Sequence, residues 1–372
     1  MIVTVIAALH ALFLGVFAAN LLYLRRARQA RVTPERWPRV SVLIPARNEE
    51  ANLQRLLPTL QRQDSPDFEV LVYDDGSGAA TGVVIEESGG PVRGLRGDGP
   101  PPGWVGKVHA LYQTTRDADG EVYLFLDADA ALRDERALRR LVEQFLAVNR
   151  KAGDAGGVMT GLPRLRGGGS LLTSLVPFAM MTALPLALVP RTASRSLASL
   201  NGQCWLIRAE MYHRHEPHAA HADEVLEDVK IGRFLKGRGM RLALRDLQDD
   251  LDVWMYRSLS EAWAGFRKNA YLLQGGTPLR FVVAQAIFWG VFVLPPLVSP
   301  WFLVTLYTLK AGSDTFGRFP LRVRLLAPLS LLLGGLLPLD SAVSHWTGRV
   351  QWKGRSVGPQ AQRSPEKADR PA

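Results

Sequence analysis

Residues 121–129, EVYLFLDAD, decide the fold. The apolar run 122–126 predicts a strand buried on both faces, and two aspartates follow it directly. Across a tight turn, Asp127 and Asp129 can aim their carboxylates at one point. Hard divalent cations bind carboxylate oxygens and complete their coordination with water and substrate phosphates. The pair suits a metal that bridges a diphosphate, although an acidic turn capping the next helix would have the same sequence.

Two earlier runs repeat this pattern. Residues 40–44 form a β-branched run that ends at Pro45, and residues 69–73 run into the turn DDGS, residues 74–77. Leucines at helical spacing separate the two runs. Strands that alternate with helices form a parallel sheet, and ligands bind beyond the carboxyl ends of its strands. We therefore expect one α/β domain over residues 38–280, with a site where the three runs end.

Long apolar stretches with at most one charged residue, Asp340, flank this domain. Residues 1–24 carry no charged side chain, which is enough for a membrane-spanning helix, and six arginines follow within the next fifteen residues. Basic residues on this flank predict an N-terminus outside the cell and a domain in the cytoplasm. Residues 281–309 and 325–346 are predicted as two further transmembrane helices, and residues 349–372 as a basic cytoplasmic tail.

The number of spans depends on two ambiguous segments. With three spans, which we predict, the basic linker 310–324 would lie outside, against the usual charge bias. Pro295 and Pro296 could instead break the first C-terminal stretch into a hairpin. Residues 170–190 are also free of charge but lie inside the predicted domain. A full span there would separate the two halves of the domain, so we expect an interfacial helix.

Three further segments carry candidate functional residues. Lys107 lies in a glycine-containing loop after three prolines and could meet a phosphate. Glu227 and Asp228 begin a predicted helix, where a carboxylate either caps the helix or takes a proton from an acceptor hydroxyl. Arg267 and Lys268 belong to a basic, aromatic stretch before the apolar region, which indicates an interfacial anchor or a diphosphate clamp.

The composition excludes several classes of protein. A single cysteine, Cys204, cannot form an internal disulfide or build a cysteine-rich zinc module. Neither a dinucleotide fingerprint nor a P-loop occurs. The net charge of +10 fits a membrane surface or an anionic substrate. One basic, aromatic stretch beside an apolar region does not make a nucleic-acid groove, and we expect no nucleic-acid partner.

In this order, the motifs resemble those of family 2 glycosyltransferases with the GT-A fold, over residues 40–269. The likeness rests on four motifs: Pro45-Ala46-Arg47-Asn48-Glu49, Asp74-Asp75-Gly76-Ser77, Asp127-Ala128-Asp129 and Glu227-Asp228. A closer likeness is to bacterial membrane glycosyltransferases associated with hopanoid and carotenoid pathways. It rests on Gly103-Trp104-Val105-Gly106-Lys107, on a lead-in containing His218, and on Trp352-Lys353-Gly354-Arg355. The Gln-x-x-Arg-Trp motif of processive polysaccharide synthases is absent.

The resemblance implies a GT-A, Rossmann-like nucleotide-sugar domain with flanking transmembrane helices. It implies Mg²⁺ or Mn²⁺ as cofactor, held by Asp129 with Asp127. It also implies Asp228, beside Glu227, as the base of an inverting single displacement. The implied donor-binding residues are Pro45, Ala46, Arg47, Asn48, Glu49, Asp75, Lys107 and Asp127. The implied contacts with the acceptor or the diphosphate are His218, Arg267 and Lys268.

The function that this resemblance implies is sugar transfer from a nucleotide-sugar donor to an isoprenoid, carotenoid or hopanoid-like lipid. The enzyme would be a multi-pass protein of the inner membrane with its catalytic domain in the cytoplasm. A non-catalytic membrane scaffold with a degenerate domain is the alternative, and intact acidic residues at 127, 129 and 228 count against it. A nucleotide-sugar pyrophosphorylase would need no membrane spans.

Overall fold

The computed structural model describes residues 1–349, 351–352 and 355–356. The predicted tail from residue 357 onward lies outside these residues, and so do residues 353 and 354 of the tail motif. The short strands Gln351–Trp352 and Arg355–Ser356 pair in an antiparallel manner.

A seven-stranded sheet forms the centre of the domain. In chain order its strands are β1 (Val40–Ala46), β2 (Phe68–Asp75), β3 (Val92–Gly97), β4 (Val122–Leu126), β6 (Gly157–Leu162), β8 (Cys204–Arg208) and β9 (Arg241–Asp246). Across the sheet the order is β3-β2-β1-β4-β8-β6-β9. The first four neighbours are parallel, and β8 is antiparallel to β4 and β6. The predicted α/β class with a parallel sheet is confirmed.

The register brings the predicted site loops to one edge. Val40 pairs with both Phe68 and Val122, so the three strands begin level with one another. At the other end, Ala46 pairs with Asp74. The polar residues that follow β1, β2 and β4 therefore meet at the carboxyl edge of the sheet, as the sequence predicts.

A second, three-stranded sheet extends from the acidic turn. It contains β5 (Ala130–Leu132), β7 (Arg164–Gly167) and β10 (Leu251–Tyr256), in the order β5-β10-β7. Strand β5 starts immediately after Asp129, and Val253 pairs with Ala130. This sheet, which the sequence did not predict, fixes the backbone just beyond the Asp-x-Asp turn.

Helices cover both faces of the main sheet. Those of the domain are α2 (Glu50–Gln61), α3 (Ala79–Ser88), α4 (Gly106–Arg116), α5 (Ala137–Ala152), α6 (Ser170–Thr173), α7 (Leu175–Ala183), α8 (Ala209–His215), α9 (Glu227–Gly237), α10 (Leu259–Arg267) and α11 (Ala270–Leu273). Short 3-10 turns occur at Gly153–Ala155, Val189–Arg191, Arg195–Leu197 and Ala219–His221. Alternate residues of β1 face opposite layers: Val42 and Ile44 pack with α2 and α5, and Leu43 packs on the other side.

The apolar helices lie outside the main sheet at the two ends of the chain. They are α1 (Ile2–Gln29), α12 (Pro278–Phe288), α13 (Pro295–Val298), α14 (Trp301–Phe316), α15 (Leu321–Leu325) and α16 (Ala327–Trp346), with a π-helical turn at Trp289–Val293. By length and composition, α1 and α16 could each cross a membrane. Phe17 of α1 and Leu309 of α14 pack into the same apolar layer as Leu43.

The predicted helix over residues 281–309 is wrong as a single element. The chain leaves the helical conformation at Ser299, and Pro300 precedes the new helix α14. Proline lacks an N–H and cannot continue the hydrogen-bond ladder, which explains the break. Both limbs return to one residue of α1, since His10 bonds the Val291 carbonyl at 2.8 Å and the Thr305 hydroxyl at 2.6 Å. The chain is therefore broken in this stretch, and the number of membrane spans stays a prediction.

The basic linker also differs from the expectation. Lys310 is not in a linker but inside α14, and that helix ends beside the α/β domain. Arg318 bonds Asp249 there at 2.5 Å, and Arg28, at the end of α1, pairs with the same aspartate. The chain at Arg318 thus packs against the α/β domain.

The apolar segment 170–190 is bent rather than one continuous helix. Ser174 separates α6 from α7, and a 3-10 turn follows. Asn20 of α1 holds the end of α7 by donating to the Met181 carbonyl at 2.9 Å and accepting from the Leu186 amide at 2.8 Å. The predicted interfacial position of this segment stays a prediction.

Candidate active site

The loops after β1 and β2 are bonded to each other. Asn48 donates its backbone N–H to the Ser77 hydroxyl at 2.9 Å and accepts from the Gly78 amide at 3.1 Å through its side chain. Asp74 accepts from the Ser77 amide at 2.9 Å, which closes the turn. Asn48 adopts a positive φ of 51°, a conformation that asparagine tolerates better than most residues. The segment from Pro45 to Glu49 is therefore positioned by the Asp-Asp-Gly-Ser turn.

Asp75 is buried at the end of β2 beside Arg47. An Arg47 nitrogen lies 3.7 Å from the Asp75 carboxylate. Burial raises the pKa of Asp75 to about 6, although the Arg47 guanidinium acts in the opposite direction. A carboxylate placed here could accept hydrogen bonds from a base or a ribose.

Lys107 connects the Asp-x-Asp turn to helix α9. Its ammonium lies 2.7 Å and 3.1 Å from the two carboxylate oxygens of Asp127 and 3.3 Å from a Glu227 oxygen. Burial alone would lower the pKa of Lys107, but these carboxylates outweigh burial and raise it. Burial raises the pKa of Glu227, and Lys107 opposes that effect. Three predicted site residues, distant in sequence, thus form one ionic cluster.

Asp129 faces the same cluster with an unused oxygen. Its backbone carbonyl accepts from the Trp254 amide at 2.8 Å, which fixes the residue to β10. Burial and the nearby charge of Asp127 raise the pKa of the Asp129 carboxyl to about 8. Within the described part of the chain, no donor reaches its buried Oδ1 atom.

These features fit a divalent cation. Among the described residues, no three histidine, cysteine or acidic side chains gather as a complete ligand set. Mg²⁺ in substrate sites usually takes only one or two carboxylates and leaves the other positions to phosphates and water. The unpartnered oxygen of Asp129, next to Asp127, supplies that smaller set.

Asp228 is held by two backbone amides. Its two oxygens accept from the Gly202 N–H at 3.1 Å and the Val229 N–H at 2.7 Å. Burial raises the pKa of Asp228, against the effects of Lys107 and these two amides. The N-cap of α9 is Leu226, so Asp228 lies inside the first turn and also satisfies one free N–H of the helix.

The loop 201–203 links the two acidic motifs. Asp127 donates its backbone N–H to the Gln203 carbonyl at 3.1 Å, and the neighbouring Gly202 binds Asp228. Asn201 anchors the loop by donating to the Gly161 carbonyl at 3.0 Å. Sequence reasoning missed this loop, for which the Asn-Gly turn before β8 is the available signal.

Tyr256, at the end of β10, is another residue that the sequence did not suggest. Burial raises the pKa of its hydroxyl to about 12, and the charges of Asp129 and Glu261 add to the rise. The tyrosine therefore lies within electrostatic range of the Asp-x-Asp turn. Its alternation with Trp254 along a half-buried strand is the pattern that could have pointed to it.

The predicted acceptor contact of His218 differs from its position in the structure. Its ring is 1% exposed and packs among the rings of Phe125, Trp205 and Tyr212. The Tyr212 hydroxyl bonds its Nδ1 at 2.8 Å. Burial lowers the pKa of His218 to about 3, with a smaller effect from Lys107. His218 thus belongs to a buried aromatic layer of the domain. Its burial rules out direct contact with an acceptor in this conformation.

Arg267 and Lys268 lie where the domain meets α16. An Arg267 nitrogen is 3.7 Å from Asp340, and the Lys268 carbonyl is 2.9 Å from the His345 ring nitrogen. Trp263 donates to the same Asp340 at 2.6 Å. These contacts tie the basic, aromatic stretch to the C-terminal helix, and its contact with a diphosphate or an acceptor stays a prediction.

The sheet, the Asp-x-Asp turn and the facing Glu-Asp pair define a mixed α/β core of the GT-A type. The model of glycosyl transferase family 2 matches residues 41–160. Residues 41–160 therefore match the family that the motifs predicted.

Two curated relatives share parts of the sequence. The 4,4'-diaponeurosporenoate glycosyltransferase of Staphylococcus haemolyticus is 36% identical over 106 residues, 28% of each chain. The enzyme of the same name from Staphylococcus aureus strain MRSA252 is 25% identical over 259 residues, 67% of this chain. This chain spans 28% and 65% of the lengths of these two relatives.

A solved structure shares the fold over most of the chain. It is the mannosyltransferase PcManGT from Pyrobaculum calidifontis, in complex with GDP-Man and Mn²⁺. The match covers 93% of this chain and 99% of that chain, at 20% identity and a TM-score of 0.50. At this identity the likeness supports the fold alone, and the predicted GT-A-like fold is confirmed.

Proposed function

We propose that the protein transfers a sugar from a nucleotide-sugar donor to a carotenoid-like lipid acceptor at a membrane surface. The observation that carries the proposal is the Lys107 cluster. It connects Asp127, on the donor side, to Glu227 and Asp228, on the acceptor side. A transferase needs both halves within reach of one sugar carbon, and the contacts of Lys107 with both halves support this arrangement.

The donor half is built from the strand ends. Asp75 and the loop from Pro45 to Glu49 would bind the nucleoside, in a pocket formed by the bonded loops after β1 and β2. Asp129, with Asp127, would hold Mg²⁺ or Mn²⁺, and the structural relative binds Mn²⁺ with its donor. A cation bound there would offset the charge on the leaving diphosphate, and Lys107 would bind phosphate oxygens directly.

The acceptor half centres on Asp228. In a single displacement, the acceptor oxygen attacks the anomeric carbon from the face opposite the diphosphate, and the configuration inverts. Asp228 would take the proton from an acceptor hydroxyl as that bond forms. The amides of Gly202 and Val229 hold its carboxylate in position. Glu227, engaged with Lys107, would orient that lysine.

A lipid acceptor suits the surroundings of the domain. Helices α1 and α16 are apolar enough to cross a membrane, and large apolar side chains of α12 to α14 are exposed. The curated relatives are named for a carotenoid acid as acceptor. The arginines after α1 favour a cytoplasmic domain on an inner membrane, with the acceptor approaching from the bilayer.

The proposal is tested with the purified full chain in lipid nanodiscs. A panel of nucleotide-sugars is offered with carotenoid acids and carotenoid alcohols, and both released nucleoside diphosphate and labelled lipid are measured. We expect one donor to give diphosphate release that depends on acceptor and on Mg²⁺ or Mn²⁺. Donor binding without any turnover would contradict the proposal and favour a non-catalytic scaffold.

A further inference from the structure

The ammonium of Lys107 binds the Asp127 carboxylate, which a metal at Asp129 would be expected to share. Both oxygens of Asp127 lie within 3.1 Å of its Nζ atom, and Glu227 lies at 3.3 Å. The side chains are only 33%, 23% and 12% exposed for Lys107, Asp127 and Glu227. In this conformation, therefore, the lysine charge already neutralises the Asp127 side of the site.

Asp129 presents the opposite situation. Among the described residues, no donor contacts its buried Oδ1 atom. A divalent ion at Asp129 would find one carboxylate available, that of Asp129 itself. The second carboxylate, that of Asp127, is already bound to the Lys107 ammonium. Like charges that lie close together repel strongly where solvent screening is reduced. The donor-free site should therefore bind a metal weakly.

We propose that Lys107 makes metal binding conditional on the diphosphate of the donor. Without donor, its ammonium holds Asp127. When a diphosphate enters, the phosphate oxygens attract the ammonium, and Asp127 becomes available to share the metal with Asp129. This inference rests on the proposed function, because it assigns a nucleoside diphosphate and a divalent cation to this site.

The geometry makes this exchange a short movement. Lysine carries a compact charge on a flexible stem, so its ammonium can turn while the helix stays fixed. Glu227 can remain its partner during the turn, because it belongs to α9 and not to the Asp-x-Asp turn. The exchange replaces one charge-assisted bond with another and leaves no buried charge unpaired.

Linkage gives the inference a quantitative form. If a nucleoside diphosphate raises the affinity for the metal by some factor, the metal raises the affinity for the nucleotide by the same factor. Couplings of this kind are typically ~5–150-fold. Removing the charge of Lys107 should increase the affinity for the metal alone and reduce the coupling.

The experiment measures Mn²⁺ binding to the full-length protein by electron paramagnetic resonance, with Mn²⁺ alone and with UDP or GDP. The variants are Lys107→Gln, which removes the charge, and Lys107→Arg, which keeps it. Lys230→Gln is the matched control, because Lys230 forms an exposed pair with Glu224 at 2.8 Å. Thermal melts establish that each variant folds.

We expect wild-type protein to bind Mn²⁺ alone weakly, and at least about tenfold more tightly with one of the nucleotides. Lys107→Gln should bind Mn²⁺ alone about tenfold more tightly than wild type, whereas Lys107→Arg and Lys230→Gln should not. Wild-type affinity for Mn²⁺ alone in folded Lys107→Gln would overturn the inference.

Three further outcomes keep the test decisive. If Lys107→Gln does not fold, equal Mn²⁺ affinity of the wild type with and without nucleotide overturns the inference by itself. If the wild type transfers sugar but shows no coupling, the inference fails and the proposed function stands. If no nucleotide binds and no sugar is transferred, the proposed function fails with it.

Discussion

Lys107 and Lys310 each pair with a carboxylate, but in contrasting surroundings. Lys107 pairs with Asp127 and Glu227 at the carboxyl edge of the sheet, and its side chain is 33% exposed. Lys310 pairs with Asp314 at 2.5 Å, one turn further along α14, and both side chains are 0% exposed. The first pair joins two motifs of the site, and the second lies within one helix. An ion pair alone therefore does not mark an active site.

The environment decides what each pair can do. Lys310 and Asp314 are fully buried and are called the sealed pair below. Lys310 also donates to the Ser174 hydroxyl at 2.9 Å, so the sealed pair connects α14 to the bend between α6 and α7. A buried pair of this kind costs desolvation free energy, and its best supported role is to specify one packing arrangement. The pair at Lys107 is accessible and can exchange partners. The predictions below test this division.

The largest effect is expected at Asp129. Replacement Asp129→Asn keeps the size of the side chain and removes the metal-binding charge, which should lower the transfer rate by about a thousandfold or more. The rate is measured as nucleotide release in the presence of acceptor. Asp314→Asn, in the sealed pair, should reduce the yield of folded protein but not the rate per folded molecule. A comparable loss of rate in both variants would contradict the division between a pair that serves the site and a pair that serves packing.

Asp228→Asn should lower the rate by about 10²–10⁴-fold if the acceptor is an alcohol, because the proton acceptor is lost. An asparagine can replace only one of the two oxygens that bind Gly202 and Val229. The variant should therefore lose about 1 kcal/mol of stability rather than melt like the parent. Thermal melts separate this loss from the kinetic effect.

The same variant distinguishes the acceptor class. A carboxylic acid is already ionised at neutral pH and needs no base. With a carotenoid acid as acceptor, Asp228→Asn should keep most of its rate, whereas with a carotenoid alcohol it should not. Equal retention of rate with both acceptors would mean that Asp228 is structural.

Much of the fold and of the site follows from local sequence pattern. The runs ending at Pro45, Asp74 and Asp127 predicted strands of one parallel sheet, because periodicity and turn residues are local signals. The contact between Lys107 and Glu227 was not predictable, since it depends on how α4 and α9 pack. Neither was the burial of His218, which a histidine-rich segment does not reveal. Long-range packing, not local preference, decides both.

The apolar helices show the same limit. Composition identified residues 281–309 as apolar, but it did not show that both limbs on either side of the break at Ser299 bond His10 of α1. The sequence predicts Lys310 and Asp314 in a polar linker, because charge predicts exposure. Their spacing of four residues, which allows an ion pair within a helix, was the signal that could have placed them inside.

A smaller but measurable effect is expected on breaking the sealed pair. Lys310→Met leaves Asp314 buried without its partner and should cost about 3–5 kcal/mol of stability. The double variant Lys310→Met/Asp314→Leu removes both charges and should recover most of that loss. Both are measured by thermal unfolding in nanodiscs. If the single variant is as stable as the parent, the pair does not contribute to packing, and this half of the comparison fails.

The smallest effect concerns the aromatic layer beneath Lys107. His218 has a pKa lowered to about 3 in the folded protein, against about 6.5 when unfolded. Between these values the unfolded chain binds one more proton, so this histidine lowers stability as the pH falls below 6.5. The slope is about 1.4 kcal/mol per pH unit, or about 2 kcal/mol by pH 5. The charged and titratable neighbours that face it are Lys107, His221 and Tyr212, and the first two strengthen its preference for the neutral form.

His218→Asn can still bond the Tyr212 hydroxyl but does not titrate, so its stability should fall less steeply with acid than that of the parent. A constant offset from lost ring packing does not change this slope, and melting curves at several pH values measure it directly. Identical slopes of stability against pH in the parent and the variant would show that His218 takes up a proton in the folded protein as readily as in the unfolded chain. His218 would then have to lie on the solvent-facing side of the site.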